Sequence, residues 1–226
     1  MVGKRRSGPG RRAVKQQVKT AKGRKIASTR WLQRQLNDPF VQEAHRVGYR
    51  SRAAFKLIYI DKKYGLLRRG MRVVDLGAAP GGWCQVVVER VGREGRVVAI
   101  DLLEIEAING VEVLMGDFHL AATRDAVRVA LGGPVDIVLS DMGASTTGHA
   151  ATDHLRSVAL AEAAFEFAVE VLAPGGAFVA KILQGAEEGV FVESLRRRFA
   201  KVARVKPPAS RDRSAEMYAV GQNFTG

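Results

Sequence analysis

The sequence predicts an α/β protein built on a mostly parallel sheet with helices on both faces. Short runs rich in β-branched residues recur along the chain, and helical stretches separate most of them. The runs are apolar almost throughout instead of alternating, which is the pattern of strands buried on both faces. With 226 residues, 46% of them hydrophobic, the chain can build one domain with a real core and little more.

Residues 1–28 contain no aromatic residue and only scattered Val and Ile. That is too little apolar surface to offset the entropy of ordering, so the segment reads as a flexible basic arm. A solubilising tail and an Arg-rich targeting peptide are the alternatives, although Gly8-Pro9-Gly10 interrupts the amphipathic helix that targeting would use. Regular patterns start near residue 30, which gives a single domain over 29–226, and Asn37-Asp38-Pro39 marks a helix boundary or turn.

Strand-like runs follow at residues 72–77, 96–101, 111–115, 135–140 and 177–182. The clearest helix runs from Asp153 to Leu172, where Val158, Ala161, Phe165, Ala168, Val169 and Leu172 recur at three- and four-residue steps before Ala173-Pro174-Gly175-Gly176. The last runs, near Val202–Val205 and Met217–Val220, lie too close for another helical crossover and predict an antiparallel hairpin at the sheet edge.

The formal charge of +13 is unevenly spread. Residues 1–37 hold 12 Lys/Arg and no acid, while 38–226 are nearly neutral at +1. Within that body, 46–72 carry +8, 73–195 carry −11 and 196–213 carry +7, so two basic blocks flank an acidic centre. The basic blocks point to a polyanion as partner. No apolar run approaches the roughly 18 residues of a membrane span. The single Cys84 excludes a disulfide framework and fits a reducing, cytoplasmic compartment. His149 and His154 lack the spacing of a ligand pair on one helix face, so no metal site is expected.

The acidic centre has an organisation. Asp75-Leu76-Gly77-Ala78-Ala79-Pro80-Gly81-Gly82-Trp83 reads as strand, glycine-rich turn and helix start. In an open α/β sheet, ligands bind at such carboxyl ends of strands. It is neither G-x-G-x-x-G nor a P-loop. Asp101, Asp117 and Asp141 end or follow the next strands, so four successive strands finish in or near an acid. A ligand with a ribose and a positive charge but no pyrophosphate suits that rim, and S-adenosylmethionine is such a ligand.

Together with Gly116-Asp117-Phe118, Leu139-Ser140-Asp141-Met142, Leu172-Ala173-Pro174-Gly175-Gly176 and Pro208-Ala209-Ser210-Arg211-Asp212-Arg213-Ser214-Ala215-Glu216-Met217-Tyr218, this glycine-rich segment resembles the FtsJ/RrmJ family. The likeness runs from about Tyr49 to Val220. The family comprises S-adenosylmethionine-dependent 2′-O-methyltransferases of ribosomal RNA. The resemblance implies a Rossmann-like class I methyltransferase fold, seven-stranded with an antiparallel edge strand, and a catalytic tetrad at Lys56, Asp141, Lys181 and Glu216. It further implies cofactor contacts at Gly81, Trp83, Asp101, Asp117 and Asp141, with Asp101 on the ribose and Asp117 near the adenine. The implied substrate is a uridine ribose in the A loop of 23S (large-subunit) rRNA, on an assembled or nearly assembled 50S particle, and the implied enzyme is a cytoplasmic monomer. Cys84 stands where a serine is frequent and Ala54 where an aromatic is common.

Rival readings are a 2′-O-methyltransferase of tRNA or an mRNA cap, and a non-catalytic RNA-binding assembly factor that keeps the fold. Lys181 is the tetrad member hardest to dismiss. It lies inside the apolar run Phe178–Leu183, and lysine is almost never fully buried unless paired. Asp141 and Glu216 are its expected partners. Arg46, Arg50, Arg52, Lys62 and Lys63 around Lys56, and Arg211 and Arg213 around Glu216, are expected to receive RNA phosphates.

Overall fold

The computed structural model describes residues 29, 32–33, 35–144, 147–185 and 187–226. The basic arm assigned to residues 1–28 lies outside them. Helix α1 (Pro39–Val47) starts where the Asn37-Asp38-Pro39 boundary is expected. Proline suits the first helical turn, and the Asp38 side chain accepts the Phe40 backbone N–H at 3.0 Å. Helix α2 (Ala54–Tyr64) follows, with Leu57 and Ile60 fully buried.

The rest alternates strand and helix: β1 (Arg72–Leu76), α3 (Gly82–Val91), β2 (Arg96–Asp101), β3 (Val111–Met115), α4 (Ala121–Leu131), β4 (Val135–Ser140), α5 (Ala150–Val171), β5 (Leu172–Leu183), α6 (Glu188–Arg196), β6 (Phe199–Val205) and β7 (Glu216–Phe224). All seven strands join one sheet in the order β3-β2-β1-β4-β5-β7-β6. The pairs from β3 through β5 are parallel, and β7 is antiparallel to both β5 and β6. The expected α/β class and edge hairpin are present. Inside the hairpin, β6 is outermost and β7 is the strand that runs backwards.

Strand alternation splits the core into two layers. Val74, Leu76, Val98, Val138 and Phe178 face the layer that includes Val127 and Leu131 of α4 and Phe167 of α5. Val73, Val97, Ile137, Leu139 and Val179 face Leu57 of α2 and Trp83 and Val86 of α3. This is why the strands are apolar on both faces. The strand β5 begins at Leu172, earlier than the sequence indicates, because Leu172 already pairs with Val135 across a register shift that takes up Pro174-Gly175-Gly176.

Two features of this topology place the site. From β1 the chain winds outward through β2 and β3, then returns to β4 on the other side of β1, so the carboxyl ends of β1 and β4 form a switch point. Because β7 runs against its neighbours, its first residues reach that same end of the sheet, with Glu216 opposite Leu183 and Tyr218 opposite Lys181.

Candidate active site

The four residues of the expected tetrad meet at the carboxyl ends of β4 and β5. Lys181 Nζ donates to the backbone carbonyl of Asp141 at 2.6 Å and lies 3.3 Å from its Oδ1. Lys56 Nζ lies 2.7 Å from Glu216 Oε1, which also accepts the Ser210 hydroxyl at 2.7 Å. Lys181 therefore pairs with Asp141 but not with Glu216, which the sequence made its second partner. The register accounts for this difference: the residue opposite Lys181 is Tyr218, and Glu216 lies two residues further along, under Lys56 of α2.

Tyr218 joins the two ion pairs. Its hydroxyl donates to Asp141 Oδ1 at 2.7 Å and accepts from Lys56 Nζ at 3.1 Å. Burial, with the nearby Asp141 and Glu216 carboxylates, pushes the phenol well above its usual range, so it remains a donor. The result is a continuous row, Lys181–Asp141–Tyr218–Lys56–Glu216–Ser210. Sequence reasoning passed over Tyr218 because a tyrosine in an apolar strand reads as core. Its signal was the two-residue step from Glu216, which puts both side chains on one face.

Gly143 makes room for the lysine, since a Cβ there would stand 2.7 Å from Lys181 Nζ. Gly143 also lines a cleft with Asp101, Leu102, Asp117, Phe118 and Met142. Two expected cofactor residues, Asp101 and Asp117, are thus in its wall, while Gly81, Trp83 and Asp141 are outside it. Asp101 holds the glycine-rich loop in place, accepting the Ala79 N–H and the Leu103 N–H, each at 2.9 Å. The ring of Trp83 is buried, donating its indole N–H to the Ala53 carbonyl at 2.8 Å and packing on Tyr218 with ring centres 5.6 Å apart. What Trp83 can present to a ligand is its backbone N–H, which lies in the first turn of α3, where N–H groups have no partner within the helix.

Gly81 sits at φ +104°, where a side chain would be strained, and an added Cβ would meet Ile108 Cδ1 at 2.5 Å. The same loop is tied down by Arg50, whose guanidinium donates to the carbonyls of Pro80 at 3.1 Å, Glu106 at 2.7 Å and Ala107 at 3.0 Å. Arg50 is therefore spent inside the protein instead of on RNA phosphate. So is Arg52, which bonds Asp38 and the Ala209 carbonyl. Arg46 pairs with Glu43, and Lys62 and Lys63 lie in the last turn of α2, two turns beyond Lys56. Arg211 and Arg213 remain exposed beside the row.

Asp75 corrects the picture of four acids on one rim. It is fully buried beneath the loop, where Oδ2 accepts the Cys84 thiol at 3.2 Å and Oδ1 has no partner. Burial, reinforced by the Asp141 and Asp101 carboxylates and opposed by the thiol hydrogen bond, pushes its carboxyl up to about 8. Burial likewise pushes the Cys84 thiol up, so it stays protonated. Below the ordinary aspartate value of about 4, folded and unfolded chains both hold this proton. Between there and about 8 only the folded chain does, so this group's stabilisation is lost as pH rises through that window. Asp75→Asn, neutral throughout, is expected to gain stability relative to the parent on going from pH 5 to pH 8, by an amount on the order of a few kcal/mol. Urea midpoints at the two pH values test this, and an equal pH response in both proteins would refute it.

A family model described as FtsJ-like methyltransferase matches residues 49–224. The chain belongs to that family. Its relatives include "Ribosomal RNA large subunit methyltransferase E" of Paramagnetospirillum magneticum, 55% identical over 97% of this chain and 93% of the relative. The protein of the same name from Ruegeria pomeroyi is 53% identical over the full length of both chains. Among solved structures, a Plasmodium falciparum chain assigned as a ribosomal RNA methyltransferase superposes with a TM-score of 0.71 at 29% identity, covering 79% of this chain and all of that one. The family match spans the row and the acidic cleft alike.

The described residues fit the methyl donor such enzymes generally use. The cleft offers Asp101 for a ribose and Asp117 beside it for an adenine, the first N–H groups of α3 have no partner within the helix and suit a carboxylate, and Gly81 stands where a side chain would collide with Ile108. Among the described residues, no group of His, Cys, Asp and Glu could hold a metal ion, and no helix is long and apolar enough to cross a membrane.

Proposed function

We propose that the protein transfers a methyl group from S-adenosylmethionine to the 2′-oxygen of a uridine ribose in the A loop of 23S rRNA, with the assembled or nearly assembled large subunit as substrate. The observation that carries this reading is the row from Lys181 to Glu216 standing directly beside the acidic cleft. The two relatives described above are named for methylation of large-subunit ribosomal RNA, which supports the substrate class. The tetrad is Lys56, Asp141, Lys181 and Glu216. Asp101, Asp117, Asp141 and the backbone at Gly81 and Trp83 hold the cofactor. The enzyme works as a single domain over 29–226, as a cytoplasmic monomer, and the basic arm adds affinity for RNA.

Bound in the cleft, the cofactor supplies a methyl group on a positively charged sulfur. The protein's own work is to bring a ribose hydroxyl into line with that methyl and to remove its proton. Holding two reacting atoms as a near-attack pair contributes roughly 7–11 kcal/mol. Lys181 faces the cleft across Gly143 and removes or withdraws the proton. Asp141 holds Lys181 through its carbonyl and carboxylate. Lys56 and Glu216, fixed to each other and to Ser210, orient the ribose from the other end of the row.

The experiment is incubation with tritiated S-adenosylmethionine and either free rRNA or large subunits from an unmethylated background, followed by mapping of the label. Label on one uridine ribose of the A loop is the expected result. Label on a base, on tRNA only, or nowhere would overturn the proposal.

A further inference from the structure

We propose that a second cleft, at the Lys56–Glu216 end of the row, binds one unpaired nucleotide of the RNA strand next to the ribose at Lys181. This rests on the RNA methyltransferase reading above. The cleft has a volume of about 500 Å³ and is walled by Pro39, Phe40, Arg52, Pro208, Arg211 and Arg213, within the usual size of small-ligand sites. It is joined to the row: a neighbouring recess contains Lys56 and Glu216 and shares Arg52 and Arg211 with it. At the other end of the row, Lys181 abuts Gly143 of the acidic cleft. The row thus stands between an acidic recess and a cationic one, and a strand presenting its ribose at Lys181 extends into the second.

The wall has the two surfaces a nucleotide needs. Pro39, Phe40 and Pro208 supply flat apolar area, and the Arg52 guanidinium lies over the Phe40 ring at 5.9 Å. The rim supplies cations in excess of their partners. Asp38 already bonds Arg52 and caps α1. Arg211, with a side chain 43% exposed, stands 3.8 Å from that same carboxylate. Arg213 forms no ion pair among the described residues, and Asp212 is exposed beside it. Lys206 fixes this loop through the carbonyls of Asp212 at 2.9 Å and Ser214 at 2.8 Å, adding charge without consuming a carboxylate. A planar base against the apolar wall and a phosphodiester on Arg211 and Arg213 use both surfaces, whereas an acidic peptide would use only the second. A recess of this size admits a single base and not a duplex, which matches recognition of unpaired RNA by stacking and backbone charge.

The test uses the full chain in single-turnover methylation at varied substrate concentration, with the double variant Arg211→Gln/Arg213→Gln and, separately, Phe40→Leu, which keeps apolar packing but loses the ring. In each, the half-saturating substrate concentration is expected to rise about tenfold, with the saturating rate and S-adenosylhomocysteine affinity unchanged. The double variant should also lower the slope of log affinity against log salt by about 0.7 per lost phosphate contact, and Phe40→Tyr should restore binding. Particles carrying 4-thiouridine beside the target are expected to photo-crosslink to residues 39–46 or 207–213. Unchanged half-saturation, a loss confined to the saturating rate, or crosslinks exclusively elsewhere would overturn the proposal. Weakening by the arginine variant alone, seen with particles but not with free RNA, would assign the cleft to an acidic protein segment and overturn it too. If the parent protein methylates no RNA, the functional reading fails, while RNA binding, its salt slope and the crosslinks still decide the cleft.

Discussion

Lys181→Ala is expected to lower the single-turnover rate of methyl transfer by roughly 10²–10⁴-fold, the range supplied by a positioned proton-transfer group. Binding of S-adenosylhomocysteine should be nearly unaffected, because the lysine faces the acidic cleft from outside its wall. Folding should survive. The side chain is 16% exposed, and its loss leaves Asp141 still bonded to Tyr218. The pH profile of the rate is diagnostic. If Lys181 accepts the hydroxyl proton, the logarithm of the parent's rate climbs with pH and then levels, and the variant loses that climb. A flat profile in the parent would make the lysine an orienting charge, and near-normal turnover in the variant would remove it from the chemistry altogether.

Tyr218→Phe is expected to cost about tenfold to a hundredfold in the same rate, corresponding to loss of hydrogen bonds to charged groups worth roughly 1.5–3 kcal/mol. The ring itself, buried against Trp83, is retained, so the core changes little. What disappears is the hydroxyl that accepts from Lys56 and donates to Asp141. Substrate half-saturation should move less than the saturating rate, since Tyr218 is buried and sets the positions of its neighbours. Equal rates in parent and variant would show that the two ion pairs hold themselves in place. A uniform loss of cofactor binding would instead indicate general damage to the fold.

Much of this site was legible in the sequence, for identifiable reasons. Lys181 stood out because a lysine inside an apolar strand needs a partner, and the partner Asp141 ends the adjacent strand. Asp101 and Asp117 were visible as acids at strand ends. The errors are those of depth and of long-range pairing. Asp75 follows the same strand-end pattern, yet lies under the loop against Cys84, and no periodicity separates a rim acid from a buried one. Arg50 looked like a surface cation because its acceptors are the carbonyls of Pro80, Glu106 and Ala107, which are distant in sequence and leave no residue-type signal; Arg52 bonds the Ala209 carbonyl as well as the Asp38 carboxylate, and only the second of these partners is charged. The pairing of Glu216 with Lys56 needed the register of β7, which a strand pattern fixes only to within a residue or two.

The backward strand β7 also has a bearing on how the protein matures. It lies between β5 and β6 and carries Tyr218 and Glu216, so before it inserts, both β5 and β6 present unpaired edges and the row is broken at its middle. Closing the sheet and completing the row therefore require the same strand. A chain whose β7 has not yet inserted offers adhesive edges and an incomplete row, which ties assembly of the proposed site to closure of the sheet.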